Sequence, residues 1–297
     1  MQDTVQVSSA ARRDRQGKEL DDRRFQLFRE ISSELSLVVA FPTSFDLLVK
    51  LRGLLQDSSQ TLEQLSAIIS LEPLLSLRIL QLANARKTGR KPITLNIHQA
   101  IQQLGLPMAR RLSLSVTAKQ LEAAKRMVVY GDVASKLWKH SLRAACGAFM
   151  IAKRMTNLDP DAAMLAGWVH DLGAFYLLQR FTQDEELVIR PVSAKYLAAR
   201  WHENIGHALL TILETPGDIA NTALDHDQPR PLPGKPTSLG DVVYLANVLD
   251  PSKSDWLHPK DLSEAEQAIS QRIQAEYPGL TDDIDRLVEE AEQRLRG

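Results

Sequence analysis

The stretch LAGWVHDLGAFYLL, residues 165–178, sets a histidine and an aspartate side by side, His170 and Asp171, among apolar residues. Burying such a pair costs free energy unless both groups find partners. Three arrangements would satisfy them: a bound metal, the remnant of a metal site, or a hydrogen-bonded pair in the core. An imidazole supplies a neutral nitrogen, and a carboxylate supplies charge and can bridge, so the doublet suits one or two hard or borderline cations. A metal pair held that way can activate water for phosphate-ester cleavage. Taken alone, His140 reads as a core histidine at the edge of an apolar arc, next to Lys136 and Arg143. His202 and His226 lie in polar sequence and gain meaning only beside the doublet. His207 follows Gly206 and reads as solvated, while His98 and His258 have no context. Cys146 is the single cysteine, which excludes a CxxC metal site and an internal disulfide.

The elements that must position these groups all read as helices. TLEQLSAIISLEPLLSLRILQLANA repeats apolar residues at three- and four-residue spacing, and Pro73 divides it in two. Thr61 and Gln64 have the spacing of a capping box. Asn96 is placed to cap, and Gly105 to stop, the helix NIHQAIQQLG. KLWKHSLRAACGAFMIAKRM is apolar over a wide arc and predicts a mostly buried helix. Asp159 followed by Pro160 is a helix start ahead of the doublet. AKYLAARWHENIGHALLTIL and SLGDVVYLANVLD are helical, DHDQPRPLPGKP is a loop, and the tail from Leu262 predicts two polar helices broken at Pro278-Gly279. There is no run of alternating strands and no internal repeat. The fold class is all-α, in two sub-bundles.

The 36 Lys and Arg balance 37 Asp and Glu, so no global field draws the chain to nucleic acid or an acidic membrane. The basic loop ARKTGRKP, with Arg86, Lys87, Arg90 and Lys91, could meet phosphate locally but reads first as a solvated loop. The acidic tail DDIDRLVEEAE reads as a solvated helix face. No apolar run reaches the length of a membrane span, and the first residues lack a signal-peptide core. The expectation is a soluble cytoplasmic protein.

In order along the chain, SLRILQLANA, ITLNIHQAIQQLG, LWKHSLRAA, LAGWVHDLG, HENIGHALL, LDHDQP and VVYLANVLD resemble the HDOD family, the HD-related output domain of bacterial signalling proteins, within the HD superfamily of metal-dependent phosphohydrolases. The resemblance spans about residues 35–250. It implies an N-terminal helical bundle packed on an HD-like helical bundle. The expected divisions are a flexible polar arm at 1–24, the N-terminal sub-bundle at 25–127, the HD-like sub-bundle at 128–250 and a C-terminal helical extension at 251–297.

Carried over residue by residue, His140, His170, Asp171, His202 and His226 match metal-ligand positions, with Asp225 standing where the first of a His-His pair would be. Asn247 stands at the closing aspartate, and Ala174 where many relatives have a lysine. Asn84 matches an asparagine of the family and reads as a helix-end hydrogen-bonder. An amide is a poorer ligand than a carboxylate, and losing the lysine removes a cation for phosphate. The implied function is a regulatory one, through a signalling protein partner or a small ligand such as a nucleotide, without catalysis. The implied cofactor is a divalent Mn, Fe, Mg or Ni at partial occupancy. The alternative is a phosphohydrolase acting on a nucleotide or cyclic dinucleotide; nucleic acid and membrane are not expected partners.

Overall fold

The computed structural model describes residues 18–34, 41–43, 45–86, 93–232, 234–252 and 262–295. Among these, every regular element is helical and there is no strand. Residues 1–38 and 39–297 form separate compact units. In the first, the described chain is one helix, α1 (Lys18–Glu34). Residues 1–17 of the expected flexible arm lie outside the described residues, but residues 18–24 are helical, as a stretch of good helix formers without Gly or Pro allows.

The second unit begins with α2 (Phe45–Gln56), α3 (Leu62–Ile69), α4 (Pro73–Ala85), α5 (Ile97–Leu104) and α6 (Leu106–Ala124). The local signals act as read. Thr61 Oγ1 accepts from the Gln64 amide at 3.3 Å while the Gln64 side chain accepts from the Thr61 amide at 2.9 Å. Asn96 accepts from the Gln99 amide at 2.9 Å, and Gly105, at φ 80°, ends α5. Asn84, at the end of α4, donates to the Thr94 carbonyl at 3.0 Å and accepts from the Thr94 amide at 2.9 Å, so it pins the far side of the basic loop. Residues 87–92 of that loop lie outside the described residues.

A short 3-10 turn, Met127–Tyr130, leads into α7 (Gly131–Met155), followed by α8 (Pro160–Val169), α9 (Leu172–Phe181), α10 (Glu185–Ile189), α11 (Pro191–Ile212), α12 (Gly217–Ala220) and α13 (Leu239–Val248). The tail forms α14 (Glu264–Glu276) and α15 (Leu280–Gln293), parted at Pro278-Gly279. α7 is the axis of this half: it packs on α8, α13 and α15 and buries Leu137, Leu142, Ala145 and Ile151, among others. Two tryptophans on the α7–α8 pair tie it to the chain between α3 and α4, Trp138 donating to the Leu71 carbonyl and Trp168 to that of Ser70.

Helices can approach closely only where side chains are absent. A Cβ on Gly167 would stand 2.6 Å from the Ala144 carbonyl oxygen, so this glycine lets α8 lie directly on α7. A Cβ on Gly173, the glycine of HDLG, would stand 2.2 Å from the His202 carbonyl oxygen and 2.5 Å from the Gly206 nitrogen. Gly173 and Gly206 are therefore the contact of α9 with α11. The two crossings draw α7, the α8–α9 corner and α11 onto one point.

Alanine is the better helix former by about 1 kcal/mol. Gly173→Ala should nevertheless destabilise the protein by ~3 kcal/mol, because the methyl meets backbone that cannot turn aside; denaturant unfolding measures it, and a stabilised variant would contradict the packing. A second expectation concerns Glu72, which caps α4 by accepting from the Leu75 amide at 2.6 Å and is fully buried. Burial raises its pKa from 4.5 to about 7, against the opposing hydrogen bonds. A raised carboxyl pKa means stability that is present at pH 4.5 and lost as pH rises through 7. Glu72→Gln should remove that loss, so that relative to the parent it gains up to about 3 kcal/mol between pH 4.5 and pH 8; parallel pH profiles for parent and variant would count against it.

Candidate metal centre

The point where these helices meet is occupied by His140 from the middle of α7, His170 and Asp171 from the α8–α9 corner, His202 from α11 and His226 from the loop before α13. All five are buried. Each imidazole is held by its Nδ1. His170 Nδ1 donates to the Gly167 carbonyl at 2.7 Å, His202 Nδ1 to Ala199 at 2.8 Å and His226 Nδ1 to Ala223 at 3.1 Å. His140 Nδ1 donates to Asp250 Oδ2 at 2.6 Å. A carbonyl or carboxylate oxygen can only accept, so the proton is on Nδ1 and the Nε2 atoms are turned inward.

The inward atoms form two groups around one carboxylate. His140 Nε2 and His170 Nε2 are 3.2 Å apart and lie 3.3 and 3.4 Å from Asp171 Oδ2. His202 Nε2 and His226 Nε2 are also 3.2 Å apart, each 3.2 Å from Asp171 Oδ1. Asp227 Oδ2 joins the second group, 3.5 Å from His202 Nε2 and 3.8 Å from His226 Nε2. Ligand atoms of His140, His170 and Asp171 lie within 4.8 Å of one another, as do those of His202, Glu203, His226 and Asp227.

This arrangement fits a divalent ion. Nitrogens of neutral imidazoles at 3.2 Å repel unless a proton or a cation lies between them. Asp171 Oδ2 is buried without a hydrogen bond of proper geometry, although two imidazole nitrogens flank it. A second shell of carbonyls and a carboxylate holding the outer ring nitrogens is what orients ligating histidines. The donors are nitrogen and oxygen only. Burial pushes the Cys146 thiol up to about 12, so it remains a thiol and offers no thiolate.

Without metal, protons do part of the same work. Burial alone would lower the His140 pKa, but Asp171 and Asp250 outweigh it and raise it to about 10. His202 is likewise opposed by burial and raised to about 9, chiefly through Asp227 and Asp171. His170 goes the other way, to about 3, because burial and the neighbouring His226 and His140 prevail over Asp171. Burial favours protonating Asp171, but the surrounding histidines hold it ionised, well below the usual carboxylate range.

The five residues marked in the sequence thus converge, and the three carboxylates beside them were not in that set. Asp227 and Glu203 each directly follow a site histidine, and that adjacency was the available signal. Asp225, at the position of the first of the family's His-His pair, is exposed at φ 57°, and it is Asp227 that reaches the cluster. Asn247 is fully buried with both side-chain atoms unpaired, and the group that reaches His140 from this segment is Asp250, three residues on. Ala174 is fully buried. His207 pairs with Asn221 at 3.2 Å outside the cluster, and His258 lies outside the described residues.

The HDOD domain profile matches residues 41–229. Among solved structures, the MmoQ response regulator of Methylococcus capsulatus is 23% identical, with a TM-score of 0.59, over 85% of this chain and 99% of that one. A fragment of the same regulator is 21% identical, with a TM-score of 0.56, over 82% and 94%. An HDOD domain protein of Geobacter sulfurreducens is 23% identical, with a TM-score of 0.37, over 90% and 99%. For the two MmoQ structures, at these identities, the likeness is one of fold. No curated protein matches the chain.

An ion bound to His140 and His202 must displace the protons they hold. Mn²⁺ affinity should therefore rise with pH between 6 and 9, with proton release to the buffer, measured by calorimetry in buffers of different ionisation enthalpy. The sign for stability follows from the same groups. Their folded pKa values lie above the unfolded 6.5, so their stabilisation of the metal-free protein is complete below 6.5 and declines as pH rises toward 9 and 10. Metal binding independent of pH would place the ion elsewhere.

Proposed function

Because the chain belongs to the HDOD domain family, we propose that it is a signalling protein whose buried His-Asp centre holds divalent metal and whose output is the binding of a partner protein or small ligand rather than turnover. The observation that carries the metal reading is the convergence of four imidazole Nε2 atoms on the two oxygens of Asp171. His140, His170 and Asp171 would hold one ion, and His202, His226 and Asp227 a second, with Asp171 between them. When bound, such an ion supplies Lewis acidity and lowers the pKa of a bound water. Four nitrogens favour Mn, Fe or Ni over Mg, which prefers oxygen.

The distribution of ligands supports a regulatory site over a catalytic one. Catalytic metals keep an open position. Here the three-ligand group, with the most room in its coordination shell, is sealed, since none of its members is more than 1% exposed. The group nearer solvent has the larger share of protein ligands, with Asp227 and Glu203 added to its two histidines. Ala174 adds no cation beside the doublet to hold a phosphate.

A phosphohydrolase remains the second reading on one observation. A cavity of about 1020 Å³ opens onto His202, Asp227 and Asp250, with Arg143 and Arg200 in its wall. That volume is at the upper end for a small-molecule site. Among the described residues no helix is long and apolar enough to cross a membrane, and the expectation of a cytoplasmic protein belongs to this proposal.

The test is elemental analysis of full-length protein purified without chelator or metal-binding tag, followed by assay against nucleotides, cyclic dinucleotides and a chromogenic phosphodiester. We expect bound mid-row metal, lost in His170→Ala and Asp171→Asn, and no turnover. Metal at one hundred times its Kd should stabilise the parent by about 2.7 kcal/mol and leave those variants unmoved. Turnover abolished by the same two substitutions would establish the phosphohydrolase reading instead, and absence of metal under every condition would end the metal reading.

A further inference from the structure

The C-terminal hairpin α14–α15 lies beyond the residues that match the HDOD domain, yet it reaches the centre through a chain of charged side chains. His140 Nδ1 donates to Asp250 Oδ2 at 2.6 Å. The other oxygen of Asp250 lies 3.2 Å from Arg143 Nε as an ion pair and accepts from the Ser252 amide and hydroxyl, each at 2.8 Å. The Arg143 guanidinium then donates through Nη1 to Asp285 on α15. Asp250 is buried and the Arg143 side chain only 15% exposed, so water screens the inner pair little, while the outer pair ends on an Asp285 side chain that is 48% exposed. Arg143 lies three residues after His140 on the same face of α7. One turn further, Gly147 faces Ile284 of α15 and Ala246 of α13, which lets both helices close on α7.

We propose that Asp250, Arg143 and Asp285 form a relay of positioning residues that holds His140 with Nδ1–H on Asp250 and Nε2 facing Asp171, making the last helix part of the metal centre. The relay takes its functional meaning from the metal reading above and its existence from the contacts just described. Asp250 fixes the ring orientation of His140. Arg143 holds Asp250 electrostatically, its Nε lying 3.2 Å from the carboxylate oxygen not used by His140. Asp285 fixes the remaining arm of the guanidinium, which would otherwise be free to leave Asp250 for solvent. A second pair on the same helix provides the comparison. Asp283 binds Arg154 at 2.8 Å, so it also fastens α15 to α7, and neither group contacts Asp250 or His140.

The experiment compares Asp285→Asn, Asp285→Glu and Asp283→Asn in the full chain. Co²⁺ binding is followed by calorimetry and by the visible spectrum, and the downfield proton resonance of His140 Nδ1–H is followed without metal. We expect Asp285→Asn to weaken Co²⁺ binding about tenfold, as loss of an outer-shell partner does, to alter the spectrum and to shift the resonance. Asp285→Glu should restore all three, and Asp283→Asn should leave all three unchanged. The relay is refuted if Asp285→Asn binds and resonates like the parent, or if Asp283→Asn reproduces its effects, since the cause would then be general loosening of α15. Parent protein that binds no Co²⁺ but shows the resonance shift confined to Asp285→Asn would remove the metal reading and keep the relay.

Discussion

Everything in the HD-like half depends on one buried negative charge surrounded by imidazoles. Asp171 stays ionised inside the protein because four histidines face it. Those histidines in turn keep their positions because their outer nitrogens are spent on three carbonyls and Asp250. A lone carboxylate in that place would be costly enough to unfold a marginal domain. Paired so, it becomes the organising charge of four chain segments that are apart in sequence. The two glycine contacts exist to serve it, since without Gly167 and Gly173 the helices carrying the histidines could not come close enough.

Much of this was legible before any coordinates. Local signals act through short-range chemistry, and so Thr61, Asn96, Gly105, Asp159 and Pro73 read correctly as caps, stops and breaks. The all-α class followed from apolar spacing. The five ligand candidates came from resemblance, because no spacing rule links His140 to His226. What could not be read was which carboxylates would join them. Asp227 reaches the cluster past the left-handed turn at Asp225, and Asp250 because α13 ends one residue past Asn247. Both depend on the path of the chain in three dimensions. The two crossing glycines were hidden for the same reason: a glycine in HDLG looks like a helix start until the partner helix is known.

The fold also separates two kinds of order. The N-terminal sub-bundle is mostly apolar packing around a few buried polar side chains, among which, in the described residues, the cap Glu72 is the one carboxylate. The HD-like half is organised by polar groups and has apolar helices as its walls. The indole hydrogen bonds of Trp138 and Trp168 to the Leu71 and Ser70 carbonyls join the two just before that cap, so a displacement of α7 or α8 would be felt at the start of α4.

Those tryptophans have another consequence. Trp138 lies two residues before His140, Trp168 two before His170, and Trp201 directly before His202. The first two indoles are 6.3 Å apart, and both are buried. Three of the four tryptophans in the chain therefore stand beside the ligands of the proposed centre. Their emission is a built-in optical gauge of the centre: an open-shell ion arriving there would dim the native fluorescence of the protein, and its removal would bring the light back.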